Sequence, residues 1–296
     1  MAFDFVEALT RTQALRIAPP GEVFWYTSGT IGSYYINTHY LYGGPEKAEG
    51  LLSFINEEKE NRSRFPERLH EQVRRNYEEE EVFRSVVDLL VERVRECVGE
   101  RFDWISGGER RDWFFSAAVA DQLGKPHLLI YKDLSRTLFS SGVPEEGAEL
   151  EGVRTVHVAD LVTEASSYIR AWIPAVAENG GGMAYSANVV DRGQGGIGVI
   201  EGAGVAAGAL VRVDEELFAA LRQAGHIDAT QQETLVAYYR DPHGAMKAFL
   251  EGNPEFLRKA LESSDERTAT RARMLVEQDL YGLDAGDFAP KPRSSH

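Results

Sequence analysis

From Val82 onward the sequence alternates helical periodicity with short, nearly continuous apolar runs, and this alternation constrains the fold more than any other feature. Helical spacing covers about Val82 to Val98, Arg111 to Leu123 and Ser166 to Asn179. Between and after these lie Phe102 to Ser106, Pro126 to Tyr131, Val153 to Val158 and Met183 to Val190, which read as strands. Strands without polar alternation are buried on both faces. The pattern therefore predicts an α/β fold with a mostly parallel sheet flanked by helices. Ligands in such folds bind beyond the carboxyl ends of the strands, so the polar loops that follow them are the places to look for chemistry.

Upstream, Phe3 to Arg16 has helical spacing, Val23 to Thr27 reads as a strand entering a Ser28-Gly29-Thr30 turn, and Tyr34 to Thr38 reads as a second strand before a helix from Glu46 to Asn56. Residues 57–81 are dominated by charge, with acids at Glu78 to Glu81, and predict a solvated helical insertion. From Asp214 the pattern is helical, broken at Asp241-Pro242 and Asn253-Pro254. The expected organisation is a domain over residues 1–225 that carries the 57–81 insertion. A helical extension over 226–296 follows, suited to packing or dimerisation, and the composition of Ala289 to His296 predicts a frayed tail.

A chain of 296 residues with 43% hydrophobic content can bury a sizeable core. Its 47 acidic against 32 basic side chains give a net charge of -15, which repels nucleic acid and anionic membranes at long range. A phosphate ligand must then be held by local donors or through a divalent cation. The one cysteine, Cys97, excludes an internal disulfide and a thiolate cluster, and its helical setting predicts a buried, inert thiol. The amino terminus lacks a basic leader and no segment has the length to span a bilayer, so cytoplasmic residence is expected.

Each strand of the regular region ends in a loop with chemical potential. Ser106-Gly107-Gly108-Glu109-Arg110-Arg111-Asp112 combines glycines that admit close backbone approach with arginines that bind anionic oxygens, although Glu109 and Asp112 can also pair with those arginines. Lys132 opens a polar loop of about twenty residues to Glu151, with Arg136 and Ser140-Ser141-Gly142, that suits a cationic lid or an ordinary surface loop. After Val158 come Asp160 and the hydroxyls of Thr163, Ser166 and Ser167, which can hold phosphate or cap the next helix. After Val190 comes Asp191-Arg192-Gly193-Gln194-Gly195-Gly196, where Arg192 can bind a carboxylate or pair with an acid. The histidines lack metal spacing, and no Gly-x-Ser-x-Gly elbow, Walker loop or dinucleotide fingerprint is present.

These loops, in this order, resemble those of the type I phosphoribosyltransferases, and the amino-terminal segment is similar to that of orotate phosphoribosyltransferase. The similarity runs from about Phe3 to Leu221. Tyr26-Thr27-Ser28-Gly29-Thr30-Ile31-Gly32-Ser33-Tyr34-Tyr35-Ile36-Asn37 looks like the family's base-pocket segment, and Asp191-Arg192-Gly193-Gln194-Gly195-Gly196 looks like its Asp-Arg-x-x-Gly-Gly turn. Ala159-Asp160-Leu161-Val162-Thr163-Glu164-Ala165-Ser166-Ser167 occupies the place of the motif Asp-Asp-x-x-Thr-x-Gly-x-[Ser/Thr]. It lacks one acid and the glycine and adds Glu164. Thr27 and Thr30 replace a lysine and an arginine, and the lid keeps only Lys132, with Arg136 as a substitute.

The resemblance implies the type I phosphoribosyltransferase fold and the transfer of ribose 5-phosphate from phosphoribosyl pyrophosphate to orotate or a related base. Magnesium would ride on the pyrophosphate, with no protein ligand set for it, and the protein would form a homodimer. Asp160 would hold the ribose, Thr163, Ser166 and Ser167 the 5-phosphate, and Gly107, Gly108, Arg110, Arg111 and Lys132 the pyrophosphate. Arg192 with Ser28, Gly29, Tyr34, Tyr35 and Asn37 would recognise the base. The alternative is a non-catalytic protein of the same fold that senses a nucleotide or phosphoribosyl pyrophosphate, or assembles with partners.

Overall fold

The computed structural model describes residues 3–283, and the chain divides into two compact units. One comprises the chain up to Ala14 together with Asn37–Val213, and the other Leu15–Ile36 together with the chain from Asp214 onward. The expected tail from Ala289 lies outside the described residues. Four short strands, β1 (Leu15–Ile17), β2 (Phe24–Trp25), β3 (Ile31–Gly32) and β4 (Tyr34–Ile36), belong to the second unit and form two small antiparallel sheets.

The first unit is built on a seven-stranded sheet: β5 (Trp104–Gly108), β6 (His127–Ile130), β7 (Arg136–Ser140), β8 (Val143–Glu146), β9 (Arg154–Val162), β10 (Gly182–Asp191) and β11 (Ala206–Arg212). Its order is β11-β10-β9-β5-β6-β7-β8, parallel from β11 to β6 and antiparallel at β7 and β8. The apolar runs predicted as strands are all present. Every residue of β6 is buried, as are 155–160 of β9, which is why their sequences show no polar alternation.

The helices of this unit are α1 (Phe5–Arg11), α2 (Pro45–Glu58), α3 (Phe65–Glu79), α4 (Glu81–Val98), α5 (Asp112–Leu123), α6 (Ile173–Ala177) and α7 (Gly196–Gly202). Helix α5 lies against β5 and β9, and α4 against β10. The expected helix from Ser166 contains a π-helical turn at Tyr168–Trp172, which sends Tyr168 and Trp172 into an apolar cluster with Ile130, Ala159, Val176 and Met183. The charged 57–81 segment is helical as its composition suggests, but α3 also buries Phe65, Leu69 and Val73. His70 of α3 extends a buried polar chain: Asp121 Oδ1 lies 2.8 Å from His70 Nδ1, His70 Nε2 3.0 Å from His127 Nδ1, and His127 Nε2 2.9 Å from Ser116 Oγ. Burial, together with His70 and His157 nearby, holds the His127 imidazole well below the ordinary histidine range.

Two expectations are corrected. Cys97 is exposed, because the buried stripe of α4 runs through Val86, Leu90, Val94 and Val98 and leaves position 97 on its flank. The twenty residues from Lys132 are not an open loop. They form the β7–β8 hairpin, which extends the sheet at its edge, with Thr137 opposite Glu146 and Ser140 opposite Val143.

In the second unit, helices α8 (Glu215–Gln223), α9 (Ala229–Arg240), α10 (Pro242–Gly252), α11 (Pro254–Leu261) and α12 (Glu266–Glu277) pack with residues 15–36. The Tyr281 hydroxyl accepts from the Ile31 N–H at 3.0 Å and donates to the Ile31 carbonyl at 3.3 Å. Trp25 stacks on Phe256 at a centroid distance of 5.6 Å. No helix among the described residues is long and apolar enough to cross a membrane.

Candidate functional site

After β5 the chain runs outward through β6, β7 and β8 and then returns to β9 on the other side of β5. The direction of winding thus reverses between β5 and β9, and a crevice opens there beyond the strand ends. It holds a cavity of about 290 Å³. Arg110, Arg111 and Lys132 line it from the ends of β5 and β6, and Asp160, Thr163, Ser166 and Ser167 from the end of β9 and the turn after it. Seven of the residues singled out from sequence therefore meet around one cavity.

Asp112 binds the two sides together. This first residue of α5 is buried, its Oδ2 accepts the Gly108 N–H at 3.1 Å, and its Oδ1 accepts the Asp160 N–H at 3.1 Å. His157 Nε2 lies 3.7 Å from Asp112 Oδ2, and Ser106 Oγ lies 3.1 Å from His157 Nδ1. Burial first, and then the adjacent Asp112 carboxylate, push the Asp160 carboxyl well above the usual carboxylate range, while the Arg111 guanidinium opposes them. From sequence, pairing with a neighbouring arginine is the alternative open to Asp112, and it is not the one the fold uses. Its position at the head of the apolar helix Trp113 to Ala120 was the signal that it enters the interior.

The turn after β9 keeps the backbone form its sequence puts in question. Ala165 is buried with φ +58°, the left-handed conformation in which glycine is at ease. Glu164 is exposed and is not among the residues that line the cavity. Thr163, Ser166 and Ser167 thus line the cavity, while the added charge of Glu164 stands in solvent outside it. Gly196 supports this turn: its N–H donates to the Thr163 carbonyl at 2.9 Å, and a Cβ at Gly196 would stand 2.3 Å from that oxygen.

Gly107 and Gly108 lie within β5 rather than in a turn. A Cβ on Gly107 would meet Ser116 Oγ at 2.1 Å, and one on Gly108 would meet the Trp172 ring at 2.4 Å. These glycines admit α5 and Trp172 to the site. Beyond them, Glu109 has a side chain only 3% exposed, with Lys59 Nζ 2.5 Å from Oε1 and the Lys132 N–H 3.1 Å from Oε2. Arg110 Nη1 donates to Asn56 Oδ1 at 2.5 Å. The loop between β5 and α5 is therefore held by the end of α2. Arg62 anchors the segment after β6 that carries Lys132, with Nη2 3.2 Å from Asp133 Oδ2 and its guanidinium 4.0 Å above the Tyr131 ring.

The remaining predicted residues lie elsewhere. Arg136 donates to the Ala175 carbonyl at 3.4 Å, near the carboxyl end of α6, and does not line the cavity. Arg192 follows β10, with its N–H on the Val162 carbonyl at 2.9 Å. Asn37 stands before a 3-10 helix at Thr38–Tyr42. Ser28, Gly29, Tyr34 and Tyr35 are in the second unit, where Gly29 (φ +84°) leaves room for Met274 and Gly32 for the Tyr26 and Tyr238 hydroxyls. Tyr168 and Trp172, which line the cavity, were not anticipated. Tyr168 donates to Asn188 Oδ1 at 2.8 Å, and burial raises its hydroxyl well above the usual range.

The same fold recurs in known structures. The structure of UMP synthase from Leishmania donovani superimposes with a TM-score of 0.54 at 18% identity, over 79% of this chain and 41% of that one. Orotate phosphoribosyltransferase from Francisella tularensis superimposes with a TM-score of 0.52 at 14% identity, over 80% of this chain and 97% of that one. The fold is that of the type I phosphoribosyltransferases. In sequence, orotate phosphoribosyltransferase from Cereibacter sphaeroides is 32% identical over 99 residues, which is 33% of this chain and 41% of the length of that relative. No family model matches the chain. The type I phosphoribosyltransferase fold thus comes here with a turn after β9 in which alanine takes the left-handed position.

Proposed function

We propose that this protein transfers a 5-phosphoribosyl group from phosphoribosyl pyrophosphate to a ring nitrogen of orotate or a related base. The observation that carries this reading is the gathering of Asp160, the Thr163 to Ser167 turn, Arg111 and Lys132 around one cavity at the β5–β9 crevice. In the reaction the base nitrogen bonds to C1′ of the ribose as the C1′–O bond breaks, and pyrophosphate departs and takes up the proton that the ring N–H loses. Thr163, Ser166 and Ser167 hold the 5-phosphate, and Asp160 hydrogen-bonds to the ribose hydroxyls. Arg111 and Lys132 face the departing pyrophosphate, and Arg192 is assigned to the carboxylate of the base.

Among the described residues no group of three or more side chains forms a metal cluster. Magnesium would be carried by the pyrophosphate of the substrate, and Asp112 and Asp160, which line the cavity, are the carboxylates that would reach it. Bound there, it would neutralise charge on the leaving group. The natural assay is loss of orotate absorbance in the presence of phosphoribosyl pyrophosphate and magnesium. Turnover supports the reading.

A non-catalytic binder is the second reading. Ala159 stands in place of an acid, and Arg136 of the β7–β8 hairpin is directed to Ala175 rather than to the cavity. Binding of phosphoribosyl pyrophosphate without turnover on any pyrimidine would favour it.

A further inference from the structure

Apart from the residues that line the first cavity, α3, α5 and β6 share a buried chain of side chains. Asp121 Oδ1 lies 2.8 Å from His70 Nδ1, His70 Nε2 3.0 Å from His127 Nδ1, and His127 Nε2 2.9 Å from Ser116 Oγ. His127 and Ser116 are fully buried, whereas Asp121 and His70 line a cavity of about 500 Å³ between α3, the end of α5 and the β7–β8 turn. We propose that this chain is a one-proton switch: a proton taken up at the cavity rests on His70, inverts the tautomer of His127 and reverses the hydrogen bond at Ser116.

The direction of each bond follows from what each atom can do. A carboxylate only accepts, so the hydrogen between Asp121 and His70 sits on Nδ1. In neutral His70, Nε2 is then an acceptor, which puts the His127 hydrogen on Nδ1 and leaves His127 Nε2 to accept from the Ser116 hydroxyl. Every bond then points toward Asp121. A proton on His70 Nε2 turns the next bond round: His127 Nδ1 accepts, the His127 hydrogen is on Nε2, and Ser116 Oγ accepts it. The serine hydrogen can turn to the carbonyl of Asp112, four residues back on α5. The cationic chain thus holds one proton more than the neutral one, drawn from solvent, with the same heavy-atom positions. A second proton would set two N–H groups face to face across the 3.0 Å between the rings. Burial, with His70 and His157 of β9 adding to it, also keeps His127 neutral.

The groups around the chain place the positive charge on His70. Asp121 Oδ2 meets Arg74 Nη2 at 3.1 Å, which leaves Oδ1 to His70. Glu67 and Glu71 of α3 line the same cavity, as does Lys125, whose Nζ lies 3.5 Å from Glu100 Oε2. The β7–β8 turn adds the hydroxyls of Ser140 and Ser141, and Phe139 covers the His70 ring at a centroid distance of 4.6 Å. Glu145 and Glu146 of β8 do not line the cavity, nor do the Arg68–Glu58 and Tyr77–Asp88 pairs that α3 makes with α2 and α4. At its inner end the switch reaches the sheet, since a Cβ on Gly107 of β5 would stand 2.1 Å from Ser116 Oγ. It is independent of the phosphoribosyl reading.

Two-dimensional NMR of the full chain with isotopically labelled histidine reads the hydrogen on each ring nitrogen across about pH 5 to 8. His70→Gln and His127→Gln assign the signals, and the coupling across the bond between the rings assigns the pair where a variant fails to fold. On acidification His127 should pass from the Nδ1–H to the Nε2–H form without becoming cationic, at the same midpoint at which His70 becomes cationic. Asp121→Asn keeps an oxygen for the His70 N–H but removes the charge, and should lower that midpoint by about one pH unit or more. One His127 tautomer across the whole range, cationic forms of both rings, or a midpoint unmoved in Asp121→Asn would overturn the switch.

Discussion

Asp112 Oδ1 accepts the backbone N–H of Asp160 at 3.1 Å, and so fixes the end of β9 against the head of α5. With Oδ2 on the Gly108 N–H, one buried carboxylate positions both strand ends that frame the cavity. Asp112→Ala leaves two buried N–H groups without a partner and should lower stability by roughly 2 to 4 kcal/mol. Asp112→Asn keeps the shape and one acceptor, removes the charge beside Asp160, and should shift the pH profile of ribose 5-phosphate binding to lower pH. A role confined to packing predicts lower stability with the profile unmoved.

Asp160 makes stability depend on pH in a definite direction. Its folded carboxyl titrates well above the ordinary value of 3.8, so the neutral form is the one the folded protein favours. The stability it permits is complete below that ordinary value and is lost as pH rises through the folded value. Asp160→Asn should therefore be more stable than the unsubstituted protein at neutral pH, and the difference should shrink on acidification. Urea denaturation across pH measures this, and a constant difference would contradict it.

At Ala165 the left-handed backbone costs an alanine about 1 kcal/mol that glycine does not bear. Ala165→Gly should raise stability by up to about 1 kcal/mol, less the entropy of the freer unfolded chain. Glu164→Gln should change ribose 5-phosphate affinity by less than about threefold, since this exposed side chain does not line the cavity. A tenfold gain would show that Glu164 repels the ligand directly.

The Lys59–Glu109 pair links α2 to the loop between β5 and α5. Lys59→Met leaves a buried carboxylate uncompensated and should cost about 3 kcal/mol, with weaker pyrophosphate binding as the loop loosens. Adding Glu109→Gln should recover most of the stability. Thermal denaturation of the single and double variants decides, and equal losses in both would dismiss the pair.

The parallel sheet was legible because strands buried on both faces have no polar alternation, as in β6 and β9. The cavity was legible because such sheets place ligands at their carboxyl ends, and Asp160, Thr163, Ser166, Ser167, Arg110, Arg111 and Lys132 all reached it. The role of Asp112 was not, since a bond across two strands depends on strand order. Cys97 was misjudged by about one helical position, and β11 was overlooked because Ala206 to Arg212 mixes small residues with branched ones. The hairpin after Lys132 was hidden because its edge strand β8 is polar and contains Pro144, as suits an edge. Likewise, no local pattern in Ser28 to Tyr35 shows that Gly29 accommodates Met274, some 245 residues away.

The most direct test of the proposed phosphoribosyl site is calorimetric titration of phosphoribosyl pyrophosphate with magnesium into the unsubstituted protein and into Asp160→Ala and Ser167→Ala. Saturable binding to the first, with loss of about tenfold or more in each variant, is the predicted result. No binding to the unsubstituted protein, or equal affinity in all three, would contradict it.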